Sequence, residues 1–140
     1  MTTVHHLARA VGSTGSAVPA YRVDVRAGPH QLLADEPADA GGGDSGPSPL
    51  VLLVSALAAC TATTLRMYAE RHGWELSTIE VDSRYDVDDH RRGTIVRTIT
   101  VPADVAGDRL DALASIAERT PVTLVIRAGT PITTTLRPEA

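Results

Sequence analysis

Cys60 is the single cysteine among the 140 residues, and its thiolate would be the most reactive nucleophile in the chain. It stands in Ala56-Leu57-Ala58-Ala59-Cys60-Thr61. Two readings of that setting are open. In an Ala-rich apolar helix a lone cysteine packs as a small inert hydrophobe, and Ala56, Ala59 and Thr63 suit close helix–helix contact. Beside a cation it becomes an ionisable nucleophile. Two guanidiniums draw attention. Arg22 alternates outward with Asp24 and Arg26, the pattern of a solvated strand face. Arg97 falls among Ile95, Ile99 and Val101, where a guanidinium must find a carboxylate or lie at a sheet edge. His5, His6, His30, His72 and His90 show no ligand spacing, so neither a metal nor a cofactor is expected. Gly41-Gly42-Gly43 lacks the lysine of a phosphate-binding loop and reads as a flexible entry loop.

The element that must position Cys60 runs from Pro47 to Gly73. Ser48 can cap it, Pro49 suits the first helical position, and Gly73 can end it in the left-handed conformation. No charge occurs from Leu50 to Leu65, so this helix is expected to be buried around most of its circumference. It is read as too short and too rich in Ser and Thr to span a membrane.

Around it the chain reads as strands. Val4 to Val11 is a weak strand broken by Gly12 to Gly15. Tyr21, Val23 and Val25 share one face of a strand that turns at Ala27-Gly28-Pro29 and returns through His30 to Ala34. Glu36 to Pro47 collects glycines and prolines and is expected to hold no regular element. Ile79, Val81, Tyr85 and Val87 alternate with Glu80, Asp82, Arg84 and Asp86, and a polar turn leads back through Ile95, Ile99 and Val101. Asp108 to Thr120 shows a helical stripe of Leu110, Leu113, Ile116, Ala117 and Thr120. Val122 to Ile126 reads as helix or strand, and Ile132 to Leu136 as a last β-rich segment. This order predicts a single α+β domain over residues 1–140 with mainly antiparallel sheet.

The net charge of −4, with scattered basic residues, argues against nucleic acid as a partner. There is no Phe, one Trp and three Tyr, so one subunit buries little aromatic area and a homodimer is expected. One cysteine excludes an intramolecular disulfide, and the start of the chain lacks a signal-peptide pattern. A cytoplasmic protein with no membrane partner is expected.

Gly46-Pro47-Ser48-Pro49 leading to Ala56-Leu57-Ala58-Ala59-Cys60-Thr61 and Leu65-Arg66-Met67-Tyr68-Ala69 resembles the OsmC/Ohr family. So do Asp35-Glu36-Pro37 before the Gly-rich loop and the Pro121-Val122 step. The resemblance implies an intertwined homodimer, with long helices packed centrally between sheets made by both subunits. It also implies thiol-dependent reduction of hydroperoxides, organic ones especially. Cys60 matches the family's peroxide-attacking cysteine, and Arg22 is the nearest match to its arginine. Three positions depart from the pattern. Val51 stands where a glutamate is common, Thr120 where a second cysteine precedes the Pro-Val step, and Thr123 where a histidine is frequent.

The resulting expectation is a one-cysteine peroxidase with Cys60, and Arg22 beside it, as catalytic residues. An external thiol, or a partner subunit's cysteine, would resolve the sulfenic acid. The alternatives are a catalytically impaired relative binding a small hydrophobic ligand in the dimer pocket, and a scaffold with an inert Cys60.

Overall fold

The computed structural model of the protein describes residues 2–16 and 21–139. Its elements are β1 (Ala10–Ser13), β2 (Val23–Ala27), β3 (His30–Ala34), α1 (Pro49–Arg71), β4 (Glu80–Val87), β5 (Gly93–Thr100), α2 (Asp108–Ala117) and α3 (Pro121–Ala128). Every strand pairing is antiparallel, so the α+β class with antiparallel sheets stands. The chain divides into two compact units, Met1–Val54 and Ser55–Ala140, with α1 running through the boundary.

The first unit is the three-stranded sheet β1-β2-β3 and the loop that follows it. Val23 and Val25 are half-buried while Asp24 and Arg26 are exposed, as the alternation requires. Gly12 lies inside β1 rather than breaking it. A Cβ there would sit 3.2 Å from a Val23 methyl, so the missing side chain makes room for the neighbouring strand.

The Gly-rich loop is more ordered than its composition suggests, and it contains a 3₁₀ turn at Ala38–Ala40. Asp35, only 1 % exposed, is the reason. Its carboxylate accepts the Ser45 hydroxyl at 2.5 Å, the Ser45 amide at 3.1 Å and the Glu36 amide at 2.7 Å. Its own amide donates to the Pro47 carbonyl at 3.1 Å, closing the loop at its base. These bonds favour the ionised form, the Ser45 hydroxyl first and the Ser45 amide next. Burial opposes them, and the Glu36 and Gly43 amides add to them, so the carboxyl is held below its ordinary value of 3.8. A lowered folded-state pKa stabilises the loop above that ordinary value, and the contribution fades as pH falls through the lower one. Asp35→Asn is therefore expected to loosen the loop at pH 7. Its difference from wild type should narrow below about pH 4. Exchange of the Ser45 amide, followed from pH 7 to pH 3, checks this; a difference that does not change with pH would remove the ionised carboxylate as the cause.

α1 begins in the first unit and runs into the second, and it starts and stops as its termini dictate. The Val51 amide donates to Ser48 Oγ at 3.3 Å, so the cap forms without a glutamate at position 51. At the other end Gly73 adopts φ 68°. The Trp74 amide reaches Ala69 O at 2.8 Å and the Gly73 amide reaches Glu70 O at 3.1 Å, the pair of bonds of a Schellman stop. Leu65, Ala69, Leu76, Leu113 and Ala117 form the core of the second unit.

Within one chain α1 buries a single stripe, Leu57, Thr61, Leu65 and Ala69, rather than its whole circumference. At 23 residues it is long and apolar enough to cross a membrane by length and composition, whereas the sequence reads it as too short and too rich in Ser and Thr for a span. β4 and β5 pair over their full length, with Ser83 opposite Arg97. α2 ends at Ala117 instead of continuing to Thr120, because Thr120 caps α3. The ambiguous Val122 to Ile126 is helical. Ile132 to Leu136 forms no strand, and Ile132 and Leu136 are 89 % and 96 % exposed. β-propensity supplies no backbone partner, and among the described residues no strand pairs with this segment.

Candidate functional site

Cys60 is a free, half-buried thiol in the second unit. Successive residues of a helix are turned by about 100°, which places Cys60 beside the buried stripe rather than in it. It is not a member of the apolar core cluster. The exposed residues Ala56, Ala59, Thr63 and Met67 occupy the flank of α1 that adjoins it. Arg22 belongs to the first unit, where its exposed guanidinium pairs with Asp24 at 3.2 Å. That is the solvated strand-face arrangement the alternation implied.

Two of the three positions where the sequence departs from the OsmC/Ohr pattern, Thr120 and Thr123, are brought together beside Arg97, while Val51 lies exposed in the first turn of α1. The Arg97 side chain is 11 % exposed. One terminal nitrogen, Nη1, donates to Thr61 Oγ1 and to Thr123 Oγ1, each at 2.9 Å, and Nη2 donates to the Ala117 carbonyl at 2.9 Å. The guanidinium is thus satisfied by two hydroxyls and a carbonyl. A carboxylate is its fourth neighbour, Glu118 Oε1 at 3.8 Å.

Thr120 and Thr123 are both buried, and their hydroxyls lie 2.6 Å apart. Thr120 Oγ1 also accepts the Thr123 amide at 3.4 Å as the cap of α3, where Pro121 takes the first helical position. Thr61 Oγ1 donates to Leu57 O at 2.7 Å, the usual outlet for a hydroxyl within a helix. The cluster therefore ties α1, the α2–α3 corner and β5 together through a positive charge. It contains no thiol, imidazole or free carboxylate to act as a base. Its chemistry is that of a fixed hydrogen-bond donor.

The same guanidinium lines a cleft of about 450 Å³. Leu57, Tyr85, Ile95 and Ile126 supply apolar wall, while Glu118 and Arg127 stand with Arg97 as its charged lining. Tyr85 lies directly over Gly93, where a Cβ would collide with its ring. Cys60 does not line this cleft.

The sequence flagged Arg97 by its place on an apolar face, and Thr120 and Thr123 as departures from a pattern. Their convergence was not readable, because they come from β5, the α2–α3 corner and α3. Glu118 and Arg127 carried no signal of their own. Ser83 Oγ, on the strand facing Arg97, is buried without a hydrogen-bond partner among the described residues.

Residues 41–135 match the family model described as OsmC-like protein. No curated protein matches the sequence significantly. Among solved structures, an organic hydroperoxide resistance protein OsmC from Legionella pneumophila is similar at 17 % identity and a TM-score of 0.63. The match covers 89 % of this chain and 92 % of that one. The organic hydroperoxide resistance protein OhrB of Bacillus subtilis is similar at 22 % identity and a TM-score of 0.58, over 87 % and 91 % of the two chains. An OsmC-like protein from Mycoplasma pneumoniae is similar at 14 % identity and a TM-score of 0.68, over 89 % of each. At these identities the likeness is one of fold.

Proposed function

Because this chain belongs to the OsmC-like family, we propose that it reduces organic hydroperoxides through Cys60, with an external thiol as reductant. The observation that carries this reading is the place of Cys60 on α1. A cysteine that served only the packing of one chain would sit in the buried stripe or the core cluster, and Cys60 is in neither. A half-buried thiol on the flank of the helix can meet a small oxidant.

The chemistry needs no second cysteine in the chain. The Cys60 thiolate attacks the distal peroxide oxygen, the O–O bond breaks, and the leaving alkoxide takes a proton to become an alcohol. Sulfur is oxidised to sulfenic acid as the peroxide is reduced. A small thiol then condenses with the sulfenic acid, releasing water and forming a mixed disulfide. A second thiol molecule attacks that disulfide and returns Cys60 to its reduced form. A cytoplasmic location supplies such thiols. Thr120 cannot form a disulfide, so resolution inside the chain is closed.

We also propose that the protein works as a homodimer. The open flank of α1, with Ala56, Ala59, Thr63 and Met67, is the surface a second copy covers. The Ile132 to Leu136 segment, which pairs with no strand among the described residues, supports an intertwined pairing, since a second copy could supply a backbone partner.

Intact mass after exposing the reduced protein to a small excess of cumene hydroperoxide, with and without a sulfenic-acid trap, tests the catalytic reading. A rapid trapped adduct on Cys60, absent in Cys60→Ser and reversed by added thiol, is the expected result. Slow over-oxidation or no reaction would sink it. The remaining reading would then be a non-catalytic relative binding a small hydrophobic ligand in the dimer pocket, favoured by the apolar Val51.

A further inference from the structure

We propose that the cleft lined by the β4–β5 hairpin and α3 is a binding site for a small amphipathic carboxylate, separate from Cys60. Three observations lead there. The cleft, at about 450 Å³, has the size of a small-molecule site, and its walls are apolar at Leu57, Tyr85, Ile95 and Ile126. Its charged lining is two guanidiniums against one carboxylate, so it carries a net positive charge. The Arg97 guanidinium is already oriented: three of its five N–H donors are fixed on Thr61, Thr123 and the Ala117 carbonyl. A donor held this way loses little freedom when it meets a ligand.

The protein shows what such a donor pair accepts. Glu118 places one carboxylate oxygen 3.8 Å from Arg97 Nη2 and bonds the other to Arg127 Nη2. Glu118 is half-exposed, and it lies between the two cations as a carboxylate tethered to the rim. A ligand carboxylate can take its place, with Glu118 swinging to solvent. The ligand's hydrocarbon tail then lies against Leu57, Ile95 and Ile126. Planar guanidiniums match a carboxylate's two oxygens, which an alcohol or an amine lacks.

Calorimetric titration of the full chain with octanoate tests this. Saturable one-site binding is expected, with octanol at least about tenfold weaker. Arg127→Gln is expected to weaken octanoate about tenfold by removing one guanidinium. Glu118→Gln is expected to tighten it several-fold, because the competing carboxylate is gone. Cys60→Ser should bind octanoate as wild type does, so failure of the peroxidase reading and failure of this one are told apart. Equal affinity for octanoate and octanol would overturn the proposal. So would no saturable heat, or a Glu118→Gln variant that binds more weakly.

Discussion

Replacing Arg97 with methionine is expected to destabilise the protein by about 3 kcal/mol, a large share of a domain's usual margin. Methionine fills similar space, so the loss would come from polar groups and not from a cavity. Arg97 makes three charge-assisted bonds at 2.9 Å, to Thr61, Thr123 and the Ala117 carbonyl. Two of those partners keep another bond: Thr61 to Leu57 O, and Thr123 to Thr120. The cost is therefore less than three full bonds. The Ala117 carbonyl is left with the Thr123 hydroxyl at 3.4 Å, a weak replacement. A urea titration should show the midpoint falling with little change of slope. Arg97→Lys is expected to recover less than half, because a point ammonium cannot span three oxygens arranged for a planar fork. A loss below about 1 kcal/mol for the methionine variant would mean the cluster is not what joins α1 to β5 and the α2–α3 corner.

Ala59→Arg is expected to convert a dimer into monomers. Ala59 is exposed within one chain, so the substitution leaves that chain's own packing intact. In the proposed helix-to-helix interface it would place a guanidinium against a flank made of Ala56, Ala59, Thr63 and Met67, none of which is a carboxylate. An unpaired charge in such a contact costs about 3 kcal/mol or more, roughly a hundredfold in dissociation constant. Sedimentation velocity of wild type and variant at the same concentration decides it. A wild type that sediments as a single chain would remove the dimer altogether. A variant that stays dimeric would move the interface away from this flank of α1.

Much of the fold was legible because local chemistry fixed it. Ser48, Pro49 and Gly73 mark the ends of α1, and each does in the structure what its side chain, or lack of one, permits. The β4–β5 hairpin follows from the alternation along β4 and the polar turn after it, and the β2–β3 turn from Gly28-Pro29. The misreadings have a common cause. Thr120 fits the stripe of α2 by spacing, but its hydroxyl is worth more as the cap of α3, so α2 stops early. Gly12 reads as a breaker until Val23 is seen beside it. The loop after β3 looks structureless by composition, yet one buried carboxylate organises it. Each outcome depends on a group distant in sequence or on a competition between two elements.

The sequence by itself determined that Cys60 is the chain's only thiol, that it lies within the uncharged run of a long helix, and that the chain holds no second cysteine to resolve it. Residue identity decides those points, and no packing can change them. Only the tertiary structure decided that Cys60 stands off the buried stripe, and that Arg97 gathers Thr61, Thr123 and Glu118 from three other elements. It also decided that Thr120 serves as a cap. Burial and hydrogen-bond partnership are properties of pairs of residues. They appear only when chain segments far apart in sequence are brought within about 3 Å of each other.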